Sequence, residues 1–234
     1  MRKILISDYD GTIYQDDRTT KENITAINRF RETNVFAVAT GRSYEDFSKA
    51  IETYGIKCDY YLLNYGAQVL NEKEKIIYET PLSNIEIEEI YNFFKDKECK
   101  IYYCNEKENS LAKTNKTYKI ILVYEDKKIQ MEDYYEFIKK YKYNTFILNN
   151  HSNIEIISPN TNKSKAIDFI SNTEKIADIK VIGDGNSDIS MIKKYHGYCV
   201  ESAIEEVKKV STKTYRKVAD FINQLLEDEN KWKK

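Results

Sequence analysis

Up to residue 80 the chain alternates short apolar runs with segments of helical period. The runs are Ile4-Leu5-Ile6, Val35 to Ala39 and Tyr60 to Leu63, and a strand buried on both faces of a parallel sheet reads in this way. Between them the spacing predicts two helices. The first follows Thr19, which with Glu22 three positions on makes a capping-box pattern, and it turns Ile24, Ile27 and Phe30 inward. The second spans Tyr44 to Tyr54. Gln68 to Leu70 and Lys75 to Tyr78 flank the polar Asn71-Glu72-Lys73-Glu74, which predicts a hairpin.

The rhythm changes after Pro81. A helix with Ile87, Ile90, Tyr91 and Phe94 on one face precedes two strand-like runs, Lys100 to Tyr103 and Tyr118 to Tyr124. A second helix, with Met131, Tyr134, Tyr135 and Ile138 at the same spacing, precedes Thr145 to Leu148 and Ile154 to Ile157. This αββαββ order describes a small antiparallel α+β layer. From Lys163 the βα rhythm returns with a helix over Ala166, Ile167 and Ile170, a strand from Ile179 to Ile182, and later helices ending with Tyr215, Val218, Ala219 and Ile222. The expected architecture is an α/β unit with a parallel sheet, residues 1–80 and 160–234, interrupted by an α+β insert over 81–159.

Composition narrows the function. Lys+Arg number 37 against 38 Asp+Glu, a net charge of −1, so there is no cationic excess for nucleic acid or an anionic membrane. No apolar run approaches the roughly 20 residues that span a bilayer, and the N-terminus does not read as a signal peptide. Cys58, Cys99, Cys104 and Cys199 are scattered and lack a zinc-site spacing, so they are expected as reduced thiols of a cytoplasmic protein. His151 and His196 are isolated and are expected in surface or insert contacts, and Lys231-Trp232-Lys233-Lys234 reads as a frayed tail.

Chemistry-bearing residues gather at the strand ends. Asp8-Tyr9-Asp10-Gly11-Thr12 follows the first strand, and the carboxyl edge of an open α/β sheet is where ligands bind. Alternate residues of extended chain share a side, so Asp8 and Asp10 can approach one centre, with Gly11 allowing a sharp turn; a solvated turn or a cap is the competing reading. The later strand opens into Gly183-Asp184-Gly185-Asn186-Ser187-Asp188. Four acids meeting at one edge would raise one another's pKa values, and a bound hard cation resolves the repulsion. Thr40-Gly41-Arg42 ends the second strand with a hydroxyl and backbone N–H groups suited to a phosphate oxygen. Lys163, in Asn162-Lys163-Ser164-Lys165, supplies an ammonium just before a helix.

D-Y-D-G-T, T-G-R, K-S-K-A and G-D-G-N-S-D, in that order around an α+β insert, resemble the haloacid dehalogenase (HAD) superfamily, and within it the Cof-like phosphatases that carry a cap between the second and third motifs. The resemblance implies a Rossmann-like core with a cap and Mg²⁺-dependent transfer of a phosphoryl group from a small phosphomonoester, such as a sugar phosphate, to water. Asp8 would be the nucleophile and Asp10 the acid and base. Asp8, Gly11, Thr40, Gly41 and Lys163 would hold the phosphate. Mg²⁺ would sit on Asp8, the Asp10 backbone carbonyl and Asp184, with Asp188 in support and Ser187 as a further ligand.

Three positions depart from the family pattern: Ser187 and Ser202 each stand where Asn is usual, as does Tyr65 in Asn64-Tyr65-Gly66-Ala67. The last two bear on the substrate more than on the reaction. Most of the insert's tyrosines and lysines, Tyr102, Tyr103, Tyr118, Tyr124, Lys113, Lys116 and Lys119 among them, are expected in solvent, while a mixed Tyr/Lys face of the insert, its residues not singled out by the sequence, is expected to meet the leaving group. A phosphomutase, or a phosphometabolite-binding protein with little turnover, are the alternatives. A monomer or small homo-oligomer, with neither nucleic acid nor membrane as partner, completes the expectation.

Overall fold

The computed structural model describes residues 2–114, 116–148 and 152–231, without the side chains of 229–231; His151 and Trp232 to Lys234 lie outside the described residues. The chain runs β1 (Ile4–Asp8), α1 (Asp17–Arg31), β2 (Val35–Ala39), α2 (Tyr44–Tyr54), β3 (Tyr60–Leu63), β4 (Gln68–Asn71) and β5 (Ile76–Glu79). It continues with α3 (Asn84–Phe94), β6 (Cys99–Cys104), β7 (Asn109–Ser110), β8 (Lys119–Tyr124), α4 (Lys127–Lys140), β9 (Asn144–Leu148) and β10 (Asn153–Ile157). It closes with α5 (Lys163–Glu174), β11 (Ile179–Gly183), α6 (Ile189–Tyr195), β12 (Tyr198–Val200), α7 (Glu205–Lys208), β13 (Thr214–Tyr215) and α8 (Val218–Lys231).

Two sheets result. The larger has eight strands in the order β13-β12-β11-β1-β2-β3-β4-β5, parallel from β13 to β3, with the β4–β5 hairpin as an antiparallel edge. Its buried strands alternate between two cores. Leu5, Phe36 and Val38 pack with Ile27 and Phe30 of α1 and Ile222 of α8, whereas Ile4, Ile6, Val35 and Ala37 pack with Ile167 and Ile170 of α5. The smaller sheet is antiparallel, in the order β7-β6-β8-β10-β9. Ile120, Leu122, Ile154 and Ile156 turn one of its faces onto Ile87, Ile90 and Phe94 of α3 and Phe137 of α4. Among the described residues no helix is long and apolar enough to cross a membrane.

Several sequence expectations are corrected. The first helix is capped by Asp16, which accepts the N–H groups of Arg18 and Thr19; Thr19 lies inside the helix and gives its hydroxyl to Asp16. Glu22 pairs with Arg18 and Lys217 instead of closing a capping box. An Asp ahead of the helix outcompetes the Thr because its carboxylate also answers the positive end of the helix dipole. Tyr91 and Tyr135 are exposed, and the buried residues of α4 are Gln130, Asp133 and Phe137, while Tyr134 and Ile138, partly buried, pack against the same core as expected. The phenol end of a tyrosine can stay in water, so tyrosine blurs the periodic pattern. Tyr215 belongs to β13 and precedes the last helix. The short strands β7, β12 and β13 carry too few residues to show a period.

Candidate active site

The strand order reverses around β1: β2 and β3 extend the sheet one way, β11, β12 and β13 the other. The crevice at such a reversal, outside the carboxyl ends of the strands, is the natural ligand site of an open α/β sheet. Asp8 ends β1, Asp184 follows β11, and Lys163 opens α5. Lys163 Nζ lies 2.5 Å from Asp8 Oδ1 and 2.6 Å from Asp188 Oδ1, all three residues being buried. The second Asp188 oxygen accepts the N–H groups of Asp184 and Gly185, each at 3.0 Å. Asp184 Oδ1 accepts the Thr12 hydroxyl at 2.6 Å, which ties the loop after β11 to the loop after β1.

Gly11 is needed for its missing side chain. Its φ is +83°, and a Cβ there would stand 2.3 Å from Asp184 Oδ2. Expected as a phosphate ligand, Gly11 has no N–H to offer: that group donates to the Tyr14 carbonyl at 2.9 Å. Its own carbonyl accepts Gln15 Nε2 and the Ser202 hydroxyl, both at 3.3 Å.

Three carboxylates thus crowd one ammonium. Burial raises the Asp8 pKa well above the carboxylate range, and Asp188 adds to the rise; Lys163 only partly reverses it, and Asp184 raises it further. Burial likewise raises Asp184, against the Thr12 hydroxyl and with help from Asp188. Burial disfavours the Lys163 charge, but Asp188 and Asp8 outweigh it, so Lys163 stays protonated. Oxygens of Asp8, Asp184 and Asp188 lie within 4.8 Å of one another. A hard oxygen set with excess negative charge fits a divalent cation such as Mg²⁺. Asp8, Asp184 and Asp188 each offer an oxygen to it, Asp188 being the one whose two oxygens also accept Lys163 and the loop amides.

Asp10 has a different environment. Half-exposed at the cavity, it is gripped through both oxygens by Arg42, at 2.9 Å from Nε and 2.6 Å from Nη2, and that guanidinium sits 4.9 Å over the Tyr9 ring. Thr40 lies beside Asp8, since Asp8 pairs with Ala39. Its hydroxyl oxygen accepts the Arg42 N–H at 3.1 Å, and Gly41 N–H has no acceptor among the described residues. Ser187 lines the same cavity, of about 900 Å³, which opens between the two sheets.

The structure therefore brings Asp8, Asp10, Thr40, Gly41, Lys163, Asp184, Ser187 and Asp188 around one cavity. Lys119 joins them, but Lys113 pairs with Glu88 on the surface. Tyr65 lines the cavity, buried at φ +61°. Sequence reasoning missed Arg42 as the partner of Asp10, Thr12 as the anchor of Asp184, and Glu155 and Asn109 on the cavity wall. Thr12 and Arg42 were legible as members of motifs, whereas Glu155 gave only a weak signal, a lone acid in an apolar strand.

The sequence profile of the haloacid dehalogenase-like hydrolase family matches residues 5–116 and 102–221, which takes in all four motifs. A protein of Mycoplasma capricolum subsp. capricolum is 29% identical over 101 residues, a match spanning 41% of this chain and 38% of that protein. The fold superimposes on a HAD/COF-like hydrolase from Plasmodium vivax with a TM-score of 0.79 at 17% identity, over 97% of this chain and 96% of the other. It superimposes on a HAD subclass IIB sugar phosphatase with a TM-score of 0.74 at 18% identity, over 94% and 95%. Identities this low speak for the fold alone, whereas the profile match runs through nearly the whole sequence. The chain belongs to the haloacid dehalogenase-like hydrolase family, with a Cof-like fold.

Proposed function

We propose that the chain is a Mg²⁺-dependent phosphatase that hydrolyses small phosphomonoesters through an aspartyl-phosphate on Asp8. The observation that carries this reading is the buried Asp8 carboxylate at a strand end, held by Lys163, with a second, accessible carboxylate two residues on. In this reading residues 1–80 and 160–234 are the catalytic core and 81–159 the cap. Thr40 and the Gly41 N–H receive the phosphate, and Lys163 offsets charge on its oxygens. Asp8 attacks phosphorus, the ester P–O bond breaks, and the departing oxygen takes a proton from Asp10. Water then attacks phosphorus, Asp10 takes its proton, and Asp8 leaves as orthophosphate is released. To act, Asp10 must free one oxygen from Arg42. Bound Mg²⁺ would supply electrostatic stabilisation of the phosphoryl group in flight.

The lining of the cavity supports a phosphorylated sugar as substrate. Asp46, Lys49 and Asn109 offer hydrogen-bonding partners on one flank, as the hydroxyl groups of a phosphorylated sugar require. One structural neighbour is named as a sugar phosphatase. The four cysteines are unpaired, which suits a cytoplasmic protein. The test is p-nitrophenol release from p-nitrophenyl phosphate with Mg²⁺ and with chelator, followed by a sugar-phosphate panel. Activity lost on chelation supports the reading; binding of phosphometabolites without release of phosphate sinks it.

A further inference from the structure

Alternation along the cap strands decides which side chains reach the reaction centre. On β8 they are Lys119, Ile121 and Val123, and on β10 Asn153 and Glu155. Lys119 reaches across to the core: its Nζ donates to the Gly41 carbonyl at 2.8 Å and to Glu155 Oε1 at 2.7 Å. The other Glu155 oxygen accepts the Tyr65 hydroxyl at 2.5 Å. All three residues are buried, the Tyr65 ring stacks on Phe146 at 4.0 Å, and a Cβ on Gly41 would stand 2.4 Å from that ring.

The phosphate loop explains what this contact does. The Thr40 carbonyl accepts the Tyr65 N–H and the Arg42 carbonyl accepts the Asn64 N–H, both at 2.9 Å, so two of the loop's three carbonyls are anchored within the core. The third, Gly41, is anchored by the cap. A peptide unit is planar, so fixing the Gly41 carbonyl also aims the Arg42 N–H on the opposite side. That N–H donates to Thr40 Oγ1. The hydroxyl oxygen is thereby engaged as an acceptor, and its hydrogen is left to donate to a phosphate oxygen. A buried ion pair is seldom the most stabilising way to fill a space, since apolar side chains of similar volume often do as well or better. Its value here is directional.

We propose that Lys119 is a positioning residue of the phosphate site, so that seating of the cap and binding of phosphate favour each other. The proposal rests on the phosphatase reading, which makes Thr40 and Gly41 the phosphate loop. Coupling of this kind is reciprocal: whatever loosens the cap contact weakens phosphate binding by the same factor.

The test is calorimetric binding of orthophosphate in the presence of Mg²⁺, beside kinetics on p-nitrophenyl phosphate and glycerol phosphate, whose leaving groups share nothing but the ester oxygen. Lys119→Met removes a hydrogen bond from a charged donor and is expected to weaken orthophosphate about tenfold. It should raise KM by a similar factor for both substrates, and Lys119→Arg should recover most of the loss. Tyr65→Phe, which keeps the stacked ring and frees one Glu155 oxygen, should weaken orthophosphate by a smaller factor. Unchanged orthophosphate affinity in Lys119→Met overturns the proposal. So does a defect confined to one substrate, which would make Lys119 a reader of the leaving group. If Lys119→Met does not fold, unchanged affinity in Tyr65→Phe is decisive against it. A wild-type protein that binds no orthophosphate sinks the phosphatase reading and this proposal together, whereas equal binding by wild type and variants sinks the proposal alone.

Discussion

Lys163 is the residue on which the site's electrostatics turn. Its ammonium lies between Asp8 and Asp188 in a buried setting, where a charge without a partner is costly. Lys163→Met should lower kcat by about 10²–10³, read in steady-state phosphate release. Lys163→Arg should not restore it, because a planar guanidinium cannot take the place of a point charge between two carboxylates. Gly11→Ala should be as damaging, since it forces Asp184 aside and strains a φ of +83°. A Gly11→Ala protein with wild-type Mg²⁺ affinity by titration calorimetry would refute that reading. At this scale the gathering of the site was legible: Asp8, Thr40, Lys163 and Asp184, singled out at strand ends and a helix start, do meet around one cavity. The Arg42 grip on Asp10 was not, because it depends on two loops meeting, and loop separation along the chain carries no such information.

Elements were legible where both faces are buried or one side is plainly apolar. The structure has Val35–Ala39, Tyr44–Tyr54 and Tyr60–Leu63 at the expected bounds. Of the cap helices α4 was the less clear, because its adjacent tyrosines differ in setting: Tyr134 packs against the core and Tyr135 is exposed. Lys119 shows the limit best: in sequence it is one lysine among many in the insert, and only strand alternation together with the seating of the cap puts it over Gly41. At the start of α3, Ser83 accepts the Glu86 N–H and Glu86 reaches back to the Ser83 N–H. Ser83→Ala should destabilise this helix by about 1 kcal/mol. Hydrogen exchange should show faster opening over residues 84–94, with the parallel sheet unaffected; uniform loosening of both sheets would mean that the cap does not open by itself.

For the molecule as a whole, the acid cluster links metal, pH and stability. Asp8 and Asp184 have raised pKa values in the folded, metal-free protein. Between the unfolded carboxylate value, about 4, and the raised folded values, these two groups therefore hold more protons in the native state than in the unfolded one. Their contribution to the stability of the chelated protein falls as pH rises through that window. Mg²⁺ removes the repulsion, so its stabilising effect should grow as pH rises from about 4 towards neutrality, reaching about 2.7 kcal/mol at a hundredfold excess over Kd. Thermal unfolding with and without Mg²⁺ across this range checks the sign; a Mg²⁺ shift that is largest at the acid end contradicts it.

The central claim is the covalent step on Asp8, and it is tested most directly by acid-quenching the enzyme during turnover of a radiolabelled phosphomonoester and mapping the labelled peptide. Wild type should carry base-labile label on the peptide containing Asp8. With labelled p-nitrophenyl phosphate, whose leaving group departs without a proton, Asp10→Asn loses only the base for the attacking water and should accumulate more label while turnover falls by about 10²–10⁴, and Asp8→Asn should carry none. Turnover with no labelled protein in either wild type or Asp10→Asn, or label that persists in Asp8→Asn, would contradict it.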